Sequence, residues 1–185
     1  MLTIHLSGLA LKIENSVKKM QIVIFGNSGS GKTTLSKKLK KKYDLSCLDL
    51  DTVAWKNADV PARAPLETGI LKIKNFTKGK SGWVIEGCYE DLLRNALIDS
   101  SEIIFLNPGL EICVKNARNR KWEPHKYHSI EDQNKNLNML IQWIQSYYIR
   151  NDEFSYNSHR KLFEGFPGNK KEITAENYQR FFTEL

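Results

Sequence analysis

Gln21-Ile22-Val23-Ile24-Phe25-Gly26-Asn27-Ser28-Gly29-Ser30-Gly31-Lys32-Thr33-Thr34 is an apolar run that empties into a glycine-rich loop and then into a lysine-rich segment. It matches Gly, four residues, Gly-Lys-Ser/Thr at every defined position, the pattern of a loop that cradles phosphate. Gly26, Gly29 and Gly31 permit backbone conformations closed to residues with a Cβ and bring N–H groups close to an anion. Asn27, Ser28, Ser30 and Thr34 complete the loop and its exit. A helix starting at Lys32 aims its unpaired N–H groups and positive dipole end at the same phosphates. Lys32 is then placed for the β- and γ-phosphates, and the Thr33 hydroxyl for the accompanying Mg²⁺. The flanks agree, since Ile22 to Phe25 read as a buried parallel strand and Leu35 with Leu39 as an i, i+4 helix stripe. The expected ligands are ATP and Mg²⁺.

Around this motif the chain alternates strands and helices. Leu45 to Leu50 form a second strand ending in Asp49-Leu50-Asp51, expected beside the P-loop strand, where open α/β sheets bind ligands. Leu66, Ile70, Ile73 and Phe76 repeat at helical spacing after Arg63-Ala64-Pro65. Trp83-Val84-Ile85-Glu86-Gly87 is a third strand, and Glu102 to Leu106 a fourth, closed by Asn107-Pro108-Gly109. A helix from about Leu110 runs into Arg118-Asn119-Arg120-Lys121-Trp122-Glu123-Pro124-His125, a polar, basic stretch suited to a lid. Leu137, Leu140, Ile141, Ile144 and Tyr148 stripe one long following helix, with Ser129 and Asp132 placed as a capping box at its start. Lys170 to Ile173 read as a fifth strand and Ala175 to Leu185 as a terminal helix. The implied architecture is α/β: a P-loop NTPase fold with a five-stranded parallel sheet, helices on both faces and a small helical lid.

At 185 residues with no Pro- or Gly-rich linker, the chain fits one domain over 20–185, with 1–19 as an N-terminal extension. That extension is open to two readings, a mis-assigned start or an added edge element. Cys47, Cys88 and Cys113 are odd in number and far apart, which argues against a disulfide framework and for a reducing cytoplasm. No apolar run approaches the ~20 residues of a bilayer span. The net charge of +7 is concentrated in Lys37, Lys38, Lys40, Lys41 and Lys42, better explained as a solvated helix face than as a nucleic-acid surface. A monomer or homodimer is expected.

A P-loop, carboxylates after the second and third strands, and an arginine-rich lid share one explanation in phosphoryl transfer, where positioned cations meet the charge of the moving group. Lys32, Mg²⁺, Arg118 and Arg120 supply the cations. Asp49, Asp51 and Glu86 are the candidate carboxylates, for holding the metal or orienting an acceptor hydroxyl; we expect Asp49 and Glu86 to join Thr33 at the metal and Asp51 to face the acceptor. A GTPase switch is disfavoured because no Asp-x-x-Gly occurs and Asn134-Lys135 lacks the following x-Asp. His125 and His128 have zinc-like spacing, but beside lysines in a lid they read as surface residues. The alternative class is a non-catalytic ATP-binding or nucleic-acid-associated P-loop protein.

Gly26 to Thr33, Asp49 with Asp51, and Gly82 to Gly87 resemble the matching segments of small-molecule P-loop kinases of the adenylate and shikimate kinase kind. The closer resemblance is to bacterial DNA topology modulation proteins, through Leu50-Asp51-Thr52-Val53-Ala54-Trp55 and Glu86-Gly87-Cys88-Tyr89. The resemblance spans about residues 20 to 185. It implies an adenylate-kinase-like fold, ATP with Mg²⁺, a lid at about 118 to 128, and a small-molecule acceptor bound around Asp51, Arg63 and Gly87. Where adenylate kinase carries Asp-Gly-Phe-Pro-Arg this chain has Glu-Gly-Cys-Tyr-Glu, which argues against AMP as the acceptor.

Overall fold

The computed structural model describes residues 20–56, 62–123 and 128–185. The expected extension at 1–19, and Pro124 and His125 of the lid stretch, lie outside the described residues.

Five strands, β1 (Gln21–Gly26), β2 (Ser46–Asp49), β3 (Trp83–Gly87), β4 (Glu102–Asn107) and β5 (Asn169–Thr174), form one parallel sheet in the order β2-β3-β1-β4-β5. Because side chains alternate along a strand, β1 splits its apolar residues between two cores. Val23 and Phe25 face α2 (Asp51–Ala54), α3 (Leu66–Thr77), α4 (Glu90–Ala96) and α8 (Tyr156–Gly165), whose Val53, Ile73, Leu92, Leu93 and Leu162 complete that layer. Ile22 and Ile24 face α1 (Lys32–Tyr43) and α9 (Ala175–Glu184), against Leu35, Leu39, Tyr178 and Phe182. The core strands are buried on both faces, which is why they read as unbroken apolar runs.

The sheet order corrects one expectation: β2 is not beside the P-loop strand. β3 lies between them, with Ile24 opposite Glu86 on one side and Asp49 opposite Glu86 on the other. The chain passes over one strand position after α1 and returns to fill it with β3, so Asp49 and Asp51 reach the P-loop across Glu86.

The long helix expected after Ser129 is broken. Ser129 Oγ accepts the Asp132 N–H at 3.1 Å, the serine half of the predicted capping box, and opens α6 (Ile130–Lys135). Asn136, whose side chain turns back to the Asp132 carbonyl at 3.0 Å, separates α6 from α7 (Leu137–Gln145). Leu137, Leu140 and Ile144 of α7 pack on α5 (Leu110–Arg118). The chain then tightens into a 3-10 turn at Ser146–Tyr148, which rotates the face: Tyr147 is buried and Tyr148 is exposed, the reverse of the predicted stripe. Two lysines of the basic helix also have partners, since Lys38 Nζ and Lys42 Nζ donate to the Phe182 and Leu185 carbonyls at the C-terminal end of α9.

Candidate active site

The phosphate loop joins β1 to α1 at the C-terminal edge of the sheet. Gly26 has φ 144°, and a Cβ there would meet the Leu106 carbonyl oxygen of β4 at 2.1 Å. Gly29 has φ 74°, and its Cβ would meet the Cys113 carbonyl oxygen of α5 at 2.3 Å. Both positions therefore exclude any side chain. Asn116 Nδ2 donates to the Gly29 carbonyl at 2.8 Å and to the Tyr178 hydroxyl at 3.0 Å, and Asn27 Nδ2 donates to the Ile144 carbonyl at 3.0 Å. α5, α7 and α9 thus hold the loop from outside. Within it, the Ser30 N–H closes onto the Asn27 carbonyl at 3.2 Å, and Ser30 Oγ is buried with no hydrogen-bond partner among the described residues. Lys32 Nζ reaches back over the loop to the Gly26 and Asn27 carbonyls at 3.1 and 2.9 Å. Gly31 is the N-cap of α1, Ser28 lies half-buried at the loop tip, and Thr34 is exposed one residue into the helix surface beyond Thr33.

Thr33 Oγ1 donates to Glu86 Oε1 at 2.6 Å. Glu86 is buried at the C-terminal end of β3, next to Asp49 in the register of β2. Burial, and then the neighbouring Asp49 charge, push the Glu86 carboxyl up to about 7. A hydroxyl and two carboxylates gathered beside a phosphate cradle are hard oxygen donors of the kind Mg²⁺ selects. Among the described residues no three of His, Cys, Asp and Glu form a cage sufficient by themselves.

Asp51 opens α2, and its N–H donates to Asp49 Oδ1 at 2.9 Å. Its Oδ1 accepts the Tyr89 hydroxyl at 2.6 Å. Arg63 pairs with Trp55 in an antiparallel bridge that folds it back beside α2. Its Nη2 donates to Asp91 Oδ2 at 2.7 Å, and its guanidinium lies 4.7 Å above the Tyr89 ring. The structure thus brings Asp51 and Arg63 together through Tyr89. Gly87 is buried in β3, where a Cβ would lie 2.8 Å from the Leu50 Cβ; the glycine admits the Leu50 side chain under the site.

The two arginines expected on a lid, Arg118 and Arg120, stand apart from this cluster. Arg118 is the exposed last residue of α5, lining an open cleft with Lys115 and Gln145. Arg120 Nη1 pairs with Glu123 Oε2 at 3.0 Å, and the Glu123 N–H donates to Gln133 Oε1 of α6 at 2.9 Å. Among the described residues neither guanidinium bonds to an atom of the phosphate loop.

The fold is that of the P-loop NTPases. Among solved structures, a gluconokinase from Sinorhizobium meliloti 1021 aligns over 91% of this chain and 94% of its own with TM-score 0.52 at 12% identity, a likeness of fold. An uncharacterized protein from Eubacterium ventriosum ATCC 27560 aligns over 90% of this chain and 97% of its own at 16% identity and TM-score 0.45. No protein-family model and no curated protein matches the sequence. Among the described residues no helix is long and apolar enough to cross a membrane.

On this P-loop scaffold, the residues that motif reading did not assign are those reached by long-range packing. Asn116 carries no pattern of its own, yet it fixes Gly29 from a position 87 residues away. Phe154 meets Tyr89 edge-on at 5.3 Å and has the Arg63 and Arg150 guanidinium groups at 5.8 and 5.4 Å from its ring. Arg150 lies 3.4 Å over Trp143 and pairs with Asp152. His159 of α8 is fully buried beside Phe25 and Phe105, and burial lowers its pKa to about 4, so the ring is neutral near pH 7. A carbonyl can only accept, so His159 Nε2–H donates to the Cys88 oxygen at 3.0 Å and Nδ1 accepts the Tyr147 hydroxyl at 2.7 Å. This buried pair ties the turn after β3 to α8 and to the 3-10 turn at Ser146–Tyr148.

Proposed function

We propose that this chain is an ATP- and Mg²⁺-dependent phosphotransferase acting on a small-molecule acceptor. The observation that carries the reading is the 2.6 Å hydrogen bond from Thr33 to Glu86, which joins the phosphate loop to a buried carboxylate on the next strand. Gly26 to Thr33 would hold the phosphates, and Thr33, Glu86 and Asp49 would hold the cation. When bound, Mg²⁺-ATP supplies the transferable phosphoryl group and neutralises part of its charge. Lys32 leaves its carbonyl partners to meet phosphate oxygens. Asp51, oriented by the Asp49 and Tyr89 contacts, accepts a hydrogen bond from the acceptor hydroxyl and directs its oxygen toward the phosphate loop. Arg63, with one edge held by Asp91, lines the acceptor side, and the Gly87 backbone forms its floor. Arg118 and Arg120 act from the lid, Arg120 after parting from Glu123.

The gluconokinase fold likeness supports a small-molecule kinase and makes sugar acids natural first acceptors to try, beside nucleotides, nucleosides and simple alcohols. The test is ADP release from Mg²⁺-ATP across such a panel. Acceptor-dependent ADP release that requires Lys32 supports the reading. Tight ATP binding with no acceptor-stimulated release favours a non-catalytic nucleotide-binding protein.

A further inference from the structure

Tyr89 occupies an unusual place between the acceptor-side carboxylate and the segment that carries Arg63. Its hydroxyl stands 2.7 Å from Trp55 Nε1 and 2.6 Å from Asp51 Oδ1. The direction of this chain is fixed by chemistry. An indole N–H can only donate, so the Tyr89 oxygen accepts from Trp55 and its single proton goes to Asp51. The ring cannot swing to offer another geometry. Tyr89 is almost fully buried, with Phe154 edge-on at 5.3 Å and the Arg63 guanidinium at 4.7 Å over the ring. Arg63 is in turn held by Asp91 at 2.7 Å on the helix that begins directly after Tyr89.

We propose that Tyr89 is a positioning residue for phosphotransfer: its hydroxyl sets the direction of the Asp51 carboxylate, and Trp55 sets the hydroxyl. This rests on the phosphotransfer reading of Asp51 given above. The chain joins α2, the Trp55–Arg63 bridge and the start of α4, the three elements that surround the acceptor side. Burial, with Asp51 next in effect, holds the phenol above its ordinary range, so it remains a donor at neutral pH. A tyrosine serving only to fill the core would need its ring but not this hydroxyl.

Tyr89→Phe keeps the ring contacts and removes only the oxygen. With an acceptor found in the panel, this variant is expected to lower kcat on the order of tenfold while leaving the acceptor KM and the ATP Kd within about twofold. Trp55→Phe should lower kcat in the same direction by less. The double variant Tyr89→Phe/Asp51→Asn should be no slower than Asp51→Asn alone, because the hydroxyl acts through the carboxylate. A wild-type kcat in Tyr89→Phe, or losses that multiply in the double variant, overturns the proposal. The indole N–H resonance of Trp55 in ¹⁵N-tryptophan-labelled protein, assigned with Trp55→Phe, reads the chain without turnover. It should move in Tyr89→Phe and, through the shared hydroxyl, in Asp51→Asn; an unmoved resonance in both overturns the proposal. Failure of every acceptor to stimulate ADP release in the wild type would refute the phosphotransfer reading separately, with the indole spectra still deciding whether Tyr89 governs Asp51.

Discussion

Thr33 and Glu86, 53 residues apart, are joined by a 2.6 Å hydrogen bond that closes the phosphate loop onto the neighbouring strand. Glu86 accepts it while buried and beside Asp49, an arrangement that disfavours its charged form. The same carboxylate that suits a metal is therefore poorly placed to be charged without one.

A pH dependence follows from the Glu86 carboxyl being raised from about 4.5 to about 7 in the folded protein. Between these values the folded state holds a proton that the unfolded state has released, so stability falls as pH rises through this window. The full effect is on the order of a few kcal/mol. His159 acts oppositely: its pKa is lowered from 6.5 to about 4, so its contribution is lost as pH falls below about 6.5. Glu86→Gln isolates the first effect. Its stability relative to wild type, measured by urea unfolding without Mg²⁺, should improve from pH 5 to about pH 7 and level off above it. A difference that stays flat with pH would contradict the buried, raised carboxyl.

Lys32→Ala should leave the unliganded fold nearly as stable as wild type, because among the described residues Lys32 Nζ bonds to the Gly26 and Asn27 carbonyls at the rim of the loop. It should abolish most of the stabilisation by Mg²⁺-ATP, which for wild type is about 2.7 kcal/mol at a hundredfold excess over Kd. Thermal melts with and without Mg²⁺-ATP measure both. Duplex DNA at physiological salt should produce no comparable shift.

The P-loop, all five strand positions and the cap at Ser129 were legible because each is written in local sequence: glycine spacing, short apolar or β-prone runs, a serine three residues before its partner. Sheet order was not. Whether β2 or β3 lies beside β1 depends on which strand the first crossover passes over, and both strands are short apolar runs ending in an acid. α4 and α8 also escaped pattern reading. α4 is short and begins Glu-Asp with its apolar Leu92, Leu93 and Ala96 close together, and α8 presents His159 where a stripe would show an apolar residue. The signal for α8 lay in Ser155, whose hydroxyl accepts the Ser158 N–H at 3.1 Å. Arg63 was placed through resemblance, but its stacking on Tyr89 links distant segments and leaves no local trace.

Gly87→Ala tests whether the glycine after Glu86 is required for packing. The added Cβ would fall 2.8 Å from the Leu50 Cβ, between β3 and the start of α2. The variant should lose about 1–3 kcal/mol, the usual range for overpacking a filled site. Because Leu50 leads directly into Asp51, acceptor turnover should fall more than ATP affinity does. Urea unfolding and ATP calorimetry on the same sample separate the two, and unchanged stability would show that Leu50 moves aside freely.

The proposed acceptor carboxylate and the proposed lid arginines should separate by kinetics, because they sit on different elements of the fold. Asp51 is fixed to the sheet side by the Asp49 and Tyr89 contacts, whereas Arg118 and Arg120 sit where α5 gives way to the lid. Asp51→Asn should therefore keep the ATP Kd within a few-fold and depress transfer to the acceptor. Arg118→Ala and Arg120→Ala should lower kcat by a similar factor for every acceptor, on the order of a hundredfold or more if either side chain reaches the transferring phosphoryl group. Arg120 must first leave Glu123, which it meets at 3.0 Å, so Glu123→Gln should weaken that hold and raise the rate of any lid-limited step. Single-turnover rates for the four variants decide these roles. Wild-type transfer by Asp51→Asn removes Asp51 from the chemistry, and wild-type transfer by both arginine variants leaves Arg118 as a solvated helix end and Arg120 as the partner of Glu123.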